Sequence, residues 1–197
     1  MSFTTGGLFI PESVKLAALF VELTDWDAVR DKVLADNLLQ SRTVSTSQRV
    51  CREIISRLKT LSSSELGLLI HGSAQEQGYL LWLAACRCYS FIADFAVEII
   101  RDRYLGLKID LHYVDFDSFF NRKSEWHPEL EAIQPATRKK LRQVLFKILQ
   151  EAELLTVNNT IHAAMLSPRL LEAIPRGSRR DVLFFPMFES ELEGRKE

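Results

Sequence analysis

Only three cysteines occur in the 197 residues, Cys51, Cys86 and Cys88. An odd number with two nearly adjacent does not make the disulfide framework of a small secreted domain, so all three are expected as reduced thiols. Cys86 and Cys88, two apart on a predicted helix, would point about 200° from each other and could not grip one metal together. The four histidines, His71, His112, His127 and His162, are scattered, and none forms a paired ligand motif. Asp115 and Asp117 form an Asp-x-Asp with no Glu-x-Lys or His to follow, and a helix start explains them better than magnesium. No G-x-x-x-x-G-K-[ST] loop, G-x-G-x-x-G turn or G-x-S-x-G elbow is present. These gaps point away from enzymes and cofactor-dependent proteins, so a non-catalytic protein without metal or cofactor is expected.

A long uncharged apolar run is missing as well. Tyr79–Ile100 comes nearest, but it holds Arg87, Asp94 and Glu98. Each such charge would cost roughly 2.5–3.5 kcal/mol at the centre of a spanning helix, so a buried helix of a soluble bundle is the expectation. The first residues, Met1-Ser2-Phe3-Thr4-Thr5, lack a basic start followed by an apolar stretch, and the protein is expected to stay in the cytoplasm.

What is present is an ordinary globular balance, 47% apolar and 26% charged residues, enough to bury a core. The net charge of -1 conceals unevenness. The first 36 residues set Lys15, Arg30 and Lys32 against Glu12, Glu22, Asp25, Asp27, Asp31 and Asp36, whereas residues 135–180 are strongly basic. Any anion-binding function must therefore be local.

Helix signals dominate the first half. Pro11 suits a first turn, and Val14, Leu16, Ala17, Leu19, Phe20 and Leu23 fill a helix behind it. Thr24 and Asp27 open a second, predicting a helical hairpin. Ser45 with Gln48, Ser62 with Glu65 and Ser73 with Glu76 have capping-box spacing, and Gly72 suits a left-handed helix end. One long central helix is predicted from Gln75 to about Tyr104. Gly106 and the run Leu107–Tyr113 break the helical pattern, dividing a helical bundle over 1–110 from a smaller helical subdomain over 111–197.

That second part predicts helices around Asp115–Arg122, from Pro128, and from Pro135 to about Leu155. Residues 151–157 and 160–166, reversing at Asn158-Asn159, then read as a β-hairpin. Helices followed by a hairpin follow the order of a winged helix, so the fold expected is mainly α with a winged-helix-like hairpin. A short helix from Ser167-Pro168 and a frayed acidic end from Glu189 complete the pattern.

The basic residues carry the functional argument. In Thr137–Leu149 a core stripe of Leu141, Leu145 and Ile148 leaves Arg138, Lys139, Arg142 and Gln143 for the other side, with Lys140 and Lys147 nearby. The opening turn of a helix favours phosphate, and arginine adds a planar fork for phosphate or guanine edges. Arg42, Arg49, Arg52, Arg57 and Lys59 form a second group. Arg176, Arg179 and Arg180 form a third, on a segment expected to be a loop. For the last two groups an ordinary solvated surface is as good a reading as phosphate contact.

Several stretches resemble the BrxA family of small BREX phage-defence proteins: Arg42-Thr43 with the helix Arg49–Leu61, Cys86-Arg87-Cys88-Tyr89, His127-Pro128-Glu129-Leu130, Thr137–Leu155, and Phe184-Phe185-Pro186. The resemblance implies a helical fold related to NusB, binding to double-stranded DNA, and a supporting role beside a methyltransferase and other BREX proteins. Members labelled inner-membrane proteins fit poorly with the charges in Tyr79–Ile100. Two other functions follow from the same features. One is an adaptor that docks larger BREX enzymes through the acidic first hairpin. The other is an RNA-binding NusB-like protein, although no stacking motif with interleaved aromatics stands out.

Overall fold

The computed structural model describes residues 3–188. Helix α1 (Ile10–Leu23) has Pro11 in its first turn and ends at Thr24, whose left-handed backbone closes it. Asp25, not Thr24, caps α2 (Trp26–Ala35) by accepting from the Asp27 N–H at 3.0 Å. The cap of α3 (Val44–Leu58) likewise moves from the expected Ser45 to Thr43, whose hydroxyl accepts from the Thr46 N–H at 3.2 Å. Both remaining capping boxes form as read. Ser62 and Glu65 open α4 (Ser63–His71), and Ser73 and Glu76 open α5 (Ala74–Cys88). Gly72 is extended rather than left-handed; a side chain there would collide with the Leu68 carbonyl.

The predicted long central helix is two helices. Tyr89 adopts an extended conformation (φ −129°, ψ 103°), and the chain bends by 116° into Ser90–Leu105. This second rod comprises α6 (Ser90–Phe95), a π-helical turn (Ala96–Arg101) and α7 (Asp102–Leu105). Tertiary contact fixes the bend. The Tyr89 hydroxyl donates to Glu53 at 2.6 Å, and its ring packs 5.5 Å from that of Phe3. Burial, reinforced by the Glu53 carboxylate, pushes the Tyr89 phenol far above its ordinary range. Among the described residues no single helix is long and apolar enough to cross a membrane, although the bent pair passes that test by length and composition together.

The charges inside this apolar region are paired. Lys123 donates to Asp94 and Glu98, both at 2.6 Å, and lies over the Phe119 ring. Burial raises the Glu98 carboxyl, but Lys123 and Arg122 outweigh it and hold the group below its ordinary range. Lys123 belongs to α8 (Tyr113–Ser124), whose Phe116, Phe119 and Phe120 meet Phe91 at centroid distances of 5.1–5.8 Å. Then follow α9 (Pro128–Glu131), α10 (Pro135–Glu151) and α11 (Pro168–Ala173), each started by a proline. One hydrophobic cluster includes Phe3, Trp82, Phe116, Leu145 and Phe185.

The winged-helix hairpin is not there: no strand occurs among the described residues, only the isolated bridges Leu155↔Ile161 and Asp110↔Thr160. The chain does reverse, with the Thr156 N–H donating to the Thr160 carbonyl at 2.9 Å and Asn159 left-handed. One more bond crosses it, from the His162 N–H to the Leu154 carbonyl at 3.0 Å, and other backbone donors turn elsewhere. The Ile161 N–H goes to Ile109, that of Ala164 to Pro186, and that of Met165 to the Tyr79 hydroxyl. Leu154, Leu155, Ile161, Ala164 and Leu166 are buried, so the apolar pattern read as strand pairing reflects burial of an irregular loop. The expected loop at Arg176 is a 3-10 helix, Arg176–Phe184. The acidic end from Glu189 lies outside the described residues.

Candidate nucleic-acid interface

Helix α3 sorts its side chains by face. At about 100° per residue, Arg49, Arg52, Ser56 and Lys59 lie within roughly 80° of each other, while Cys51, Ile54, Ile55 and Leu58 turn into the core. Arg49, Arg52 and Lys59 are exposed, as is Arg42 ahead of the cap, and none has an acidic partner among the described residues. Arg57 does not belong to this surface. It is buried, donating to Glu53 at 2.9 Å and to the Gly7 carbonyl at 2.7 Å, and so ties α3 to the N-terminal segment.

Arg87 joins this stripe to the third basic group. Its guanidinium donates to Glu65 at 2.8 and 2.9 Å, to the Thr60 carbonyl at 3.0 Å and to Asp181 at 2.6 Å. Thr60 follows Lys59 at the end of α3, and Asp181 follows Arg180 in the 3-10 helix. The hub therefore holds Arg179 and Arg180 next to the basic end of α3. Arg176, Arg179 and Arg180 are exposed and also lack an acidic partner among the described residues.

Helix α10 divides the basic cluster at residues 138–147. Arg138 and Arg142 lean on α8, both paired with Asp117. Arg138 also donates to Asn121 at 2.7 Å and to the Asp117 carbonyl at 2.8 Å. Its guanidinium lies 4.5 Å from the Phe120 centroid, and that of Arg142 lies 4.5 Å from Tyr113. These side chains are only 26% and 19% exposed. Lys139, Lys140, Gln143 and Lys147 occupy a separate, solvent-facing side of α10, with Lys147 3.5 Å from Glu151. The six residues grouped by sequence thus form a packed pair and an exposed set. Sequence reading missed Asp117 as the acid that occupies the pair, and Arg87 as a hub. An arginine inside an apolar helix was the available signal for the latter, since burial demands partners.

Among the described residues no group of three or more His, Cys, Asp or Glu side chains is placed to hold a metal ion. Cys51 and Cys86 are buried, and burial pushes both thiols up.

The BrxA family model matches residues 1–177. A protein named BREX protein BrxA from Escherichia coli (strain HS) is 26% identical over 193 residues, spanning 97% of this chain and 88% of that protein. Another of the same name, from Paramagnetospirillum magneticum, is 26% identical over 155 residues, or 79% of this chain and 78% of that one. The crystal structure of an uncharacterized protein from Magnetospirillum magneticum aligns with a TM-score of 0.80 over 92% of this chain and 94% of that one. At 22% identity that likeness shows a shared fold.

Proposed function

This chain belongs to the BrxA family, and we propose that it is a non-catalytic, cytoplasmic accessory protein of a BREX phage-defence system that holds double-stranded DNA mainly through phosphates. One observation carries the reading: the exposed, unpaired cations of α3 and of the Arg176–Phe184 helix meet at the Arg87 hub. Arg49 to Lys59 spans about 15 Å of helix, enough to meet more than one phosphate of a single strand. Arg42 lengthens the track at one end, and Arg176, Arg179 and Arg180 at the other. Lys139, Lys140, Gln143 and Lys147 form a second candidate contact on α10. Arg138 and Arg142 contribute to stability first, because a phosphate would have to compete with Asp117 and the stacked rings for them.

The test is salt-titrated binding to duplex DNA by the wild type and by an Arg49→Ala, Arg52→Ala, Lys59→Ala variant. Each lost phosphate contact flattens the plot of log K against log salt by roughly 0.9, so three contacts would reduce the slope by about 2.7. Changing Arg176, Arg179 and Arg180 to Ala should flatten it comparably. No binding at low salt, or slopes equal to wild type in both variants, would refute the interface. Stronger competition by duplex RNA than by duplex DNA would replace the ligand with RNA.

A further inference from the structure

A groove of about 410 Å³ lies between helices α2 and α3, within the roughly 300–1,000 Å³ typical of small-ligand clefts. One wall is Trp26. Its indole stacks on Phe20, 4.0 Å between centroids and 8° from parallel, which fixes the ring while leaving Trp26 on the groove. The opposite wall is α3, where Arg52, Ser56 and Lys59 follow one another at one-turn spacing. Arg52 and Lys59 are exposed without an acidic partner among the described residues, and they line the groove seven residues apart, with Ser56 between them. Arg30 also lines the groove but is already paired with Asp27 and Asp31, at 3.0 and 3.1 Å. The lining thus combines a held aromatic ring, an apolar floor of Leu34 and Ile55, and two uncommitted cations.

A bare anion would leave the indole and the apolar floor unused, and an apolar ligand would strand the cations. A ligand carrying both a flat ring and a phosphate uses all of them. We propose that the groove between α2 and α3 binds one nucleoside monophosphate unit, its base against Trp26 and its phosphate on Arg52 and Lys59. The unit comes either as a free nucleotide or as an unpaired nucleotide of a strand lying on the α3 stripe. In the second case the inference deepens the DNA-binding reading and rests on it; in the first it stands without it. Asp27 sits at the Trp26 end, where it can accept from a sugar hydroxyl or an exocyclic amine.

Trp26 fluorescence reports the site. Trp126 is 81% exposed and would confuse the signal, so the measurement uses full-length protein carrying Trp126→Phe, which leaves Trp26 and the fully buried Trp82. Adenosine monophosphate should quench saturably. Ribose 5-phosphate should bind about tenfold more weakly, the usual worth of a stacked base. Adding Arg52→Ala and Lys59→Ala should weaken the nucleotide about tenfold or more, whereas Arg122→Ala, on α8 and outside the groove, should not change it. Thermal melting of each variant separates loss of binding from loss of fold, since the changed side chains are exposed.

The proposal is overturned if millimolar adenosine monophosphate gives no saturable quench. It is equally overturned if ribose 5-phosphate binds as tightly, or if the Arg52/Lys59 variant binds undiminished. Duplexes with and without a one-nucleotide bulge separate the sources. Preference for the bulge, lost in a Trp26→Phe variant that keeps a ring on Phe20, identifies the strand nucleotide; no preference alongside saturable nucleotide binding identifies the free one. Nucleotide binding without duplex binding would sink the DNA reading and leave the groove standing, and the converse would do the reverse.

Discussion

Replacing Arg87 by Met removes the cation that, among the described residues, compensates Glu65, and the cost can be worked from the contacts. Glu65 is fully buried, and the Arg87 side chain is 14% exposed. Two of the four hydrogen bonds from Arg87 go to Glu65, and the others go to Thr60 and Asp181. Stripping one partner from a buried pair costs about 3–5 kcal/mol, because the remaining charge keeps its desolvation penalty. The lower half of that range applies here, since Asp181 can turn toward water and the Ser62 N–H still donates to Glu65 at 2.7 Å. In a chain of this size each kcal/mol moves Tm by about 2–4 °C, so Arg87→Met should melt about 6–16 °C lower. Urea unfolding at pH 7 measures the same loss. Arg122→Ala serves as the contrast: its pair with Glu98 is 55% and 39% exposed and should cost under about 1 kcal/mol. Adding Glu65→Leu to Arg87→Met should recover most of the loss, leaving about 1 kcal/mol for the carboxylate's bond to the Ser62 N–H, while the Ser62 hydroxyl still caps the helix. A single variant losing less than about 1 kcal/mol, or a double variant no more stable than the single, would refute Arg87 as a buried structural cation.

How legible these features were depends on how far away each residue's partner lies in the chain. The caps at Ser62 and Ser73 and the starts at Pro11, Pro128, Pro135 and Pro168 need only neighbouring residues, and all were readable. The α3 cap was misplaced by two residues because Thr43 and Ser45 offer the same chemistry. Tyr89 interrupts a segment whose own composition favours helix, and the hydroxyl bond that anchors it reaches Glu53, 36 residues back. No local pattern encodes that. The basic residues failed in the same way: Arg57 faces inward to Gly7, and Arg138 and Arg142 find Asp117, more than twenty residues earlier. Sequence finds clusters of charge, but only the fold decides which cations are already spoken for. The missing wing teaches a related point. Apolar residues on both sides of a reversal at Asn158-Asn159 are what a hairpin needs, yet an irregular loop pressed on a core buries them equally.

Two further outcomes follow from side chains that already have partners. The Ser167 hydroxyl, at 2.6 Å, together with the Ser73 N–H, holds the Glu76 carboxyl below its ordinary range. A depressed carboxylate stabilises the fold above its unfolded pKa, about 4.3, and loses that contribution as pH falls through its folded value. The stability gap between wild type and Glu76→Gln should therefore be constant at neutral pH and shrink below about pH 4, as urea unfolding across pH would show. The last outcome concerns Asp117. Because Arg138 and Arg142 are both paired with it and stacked on Phe120 and Tyr113, changing both arginines to Ala should lower Tm yet leave the salt slope of duplex binding intact. Asp117→Asn removes the competing charge and should steepen that slope, by up to about 1.8 if both freed arginines reach phosphates. If the double alanine variant instead flattens the slope as much as the α3 variant does, duplex binding breaks the Asp117 pairs, and the first turns of α10 form the DNA-contacting surface after all.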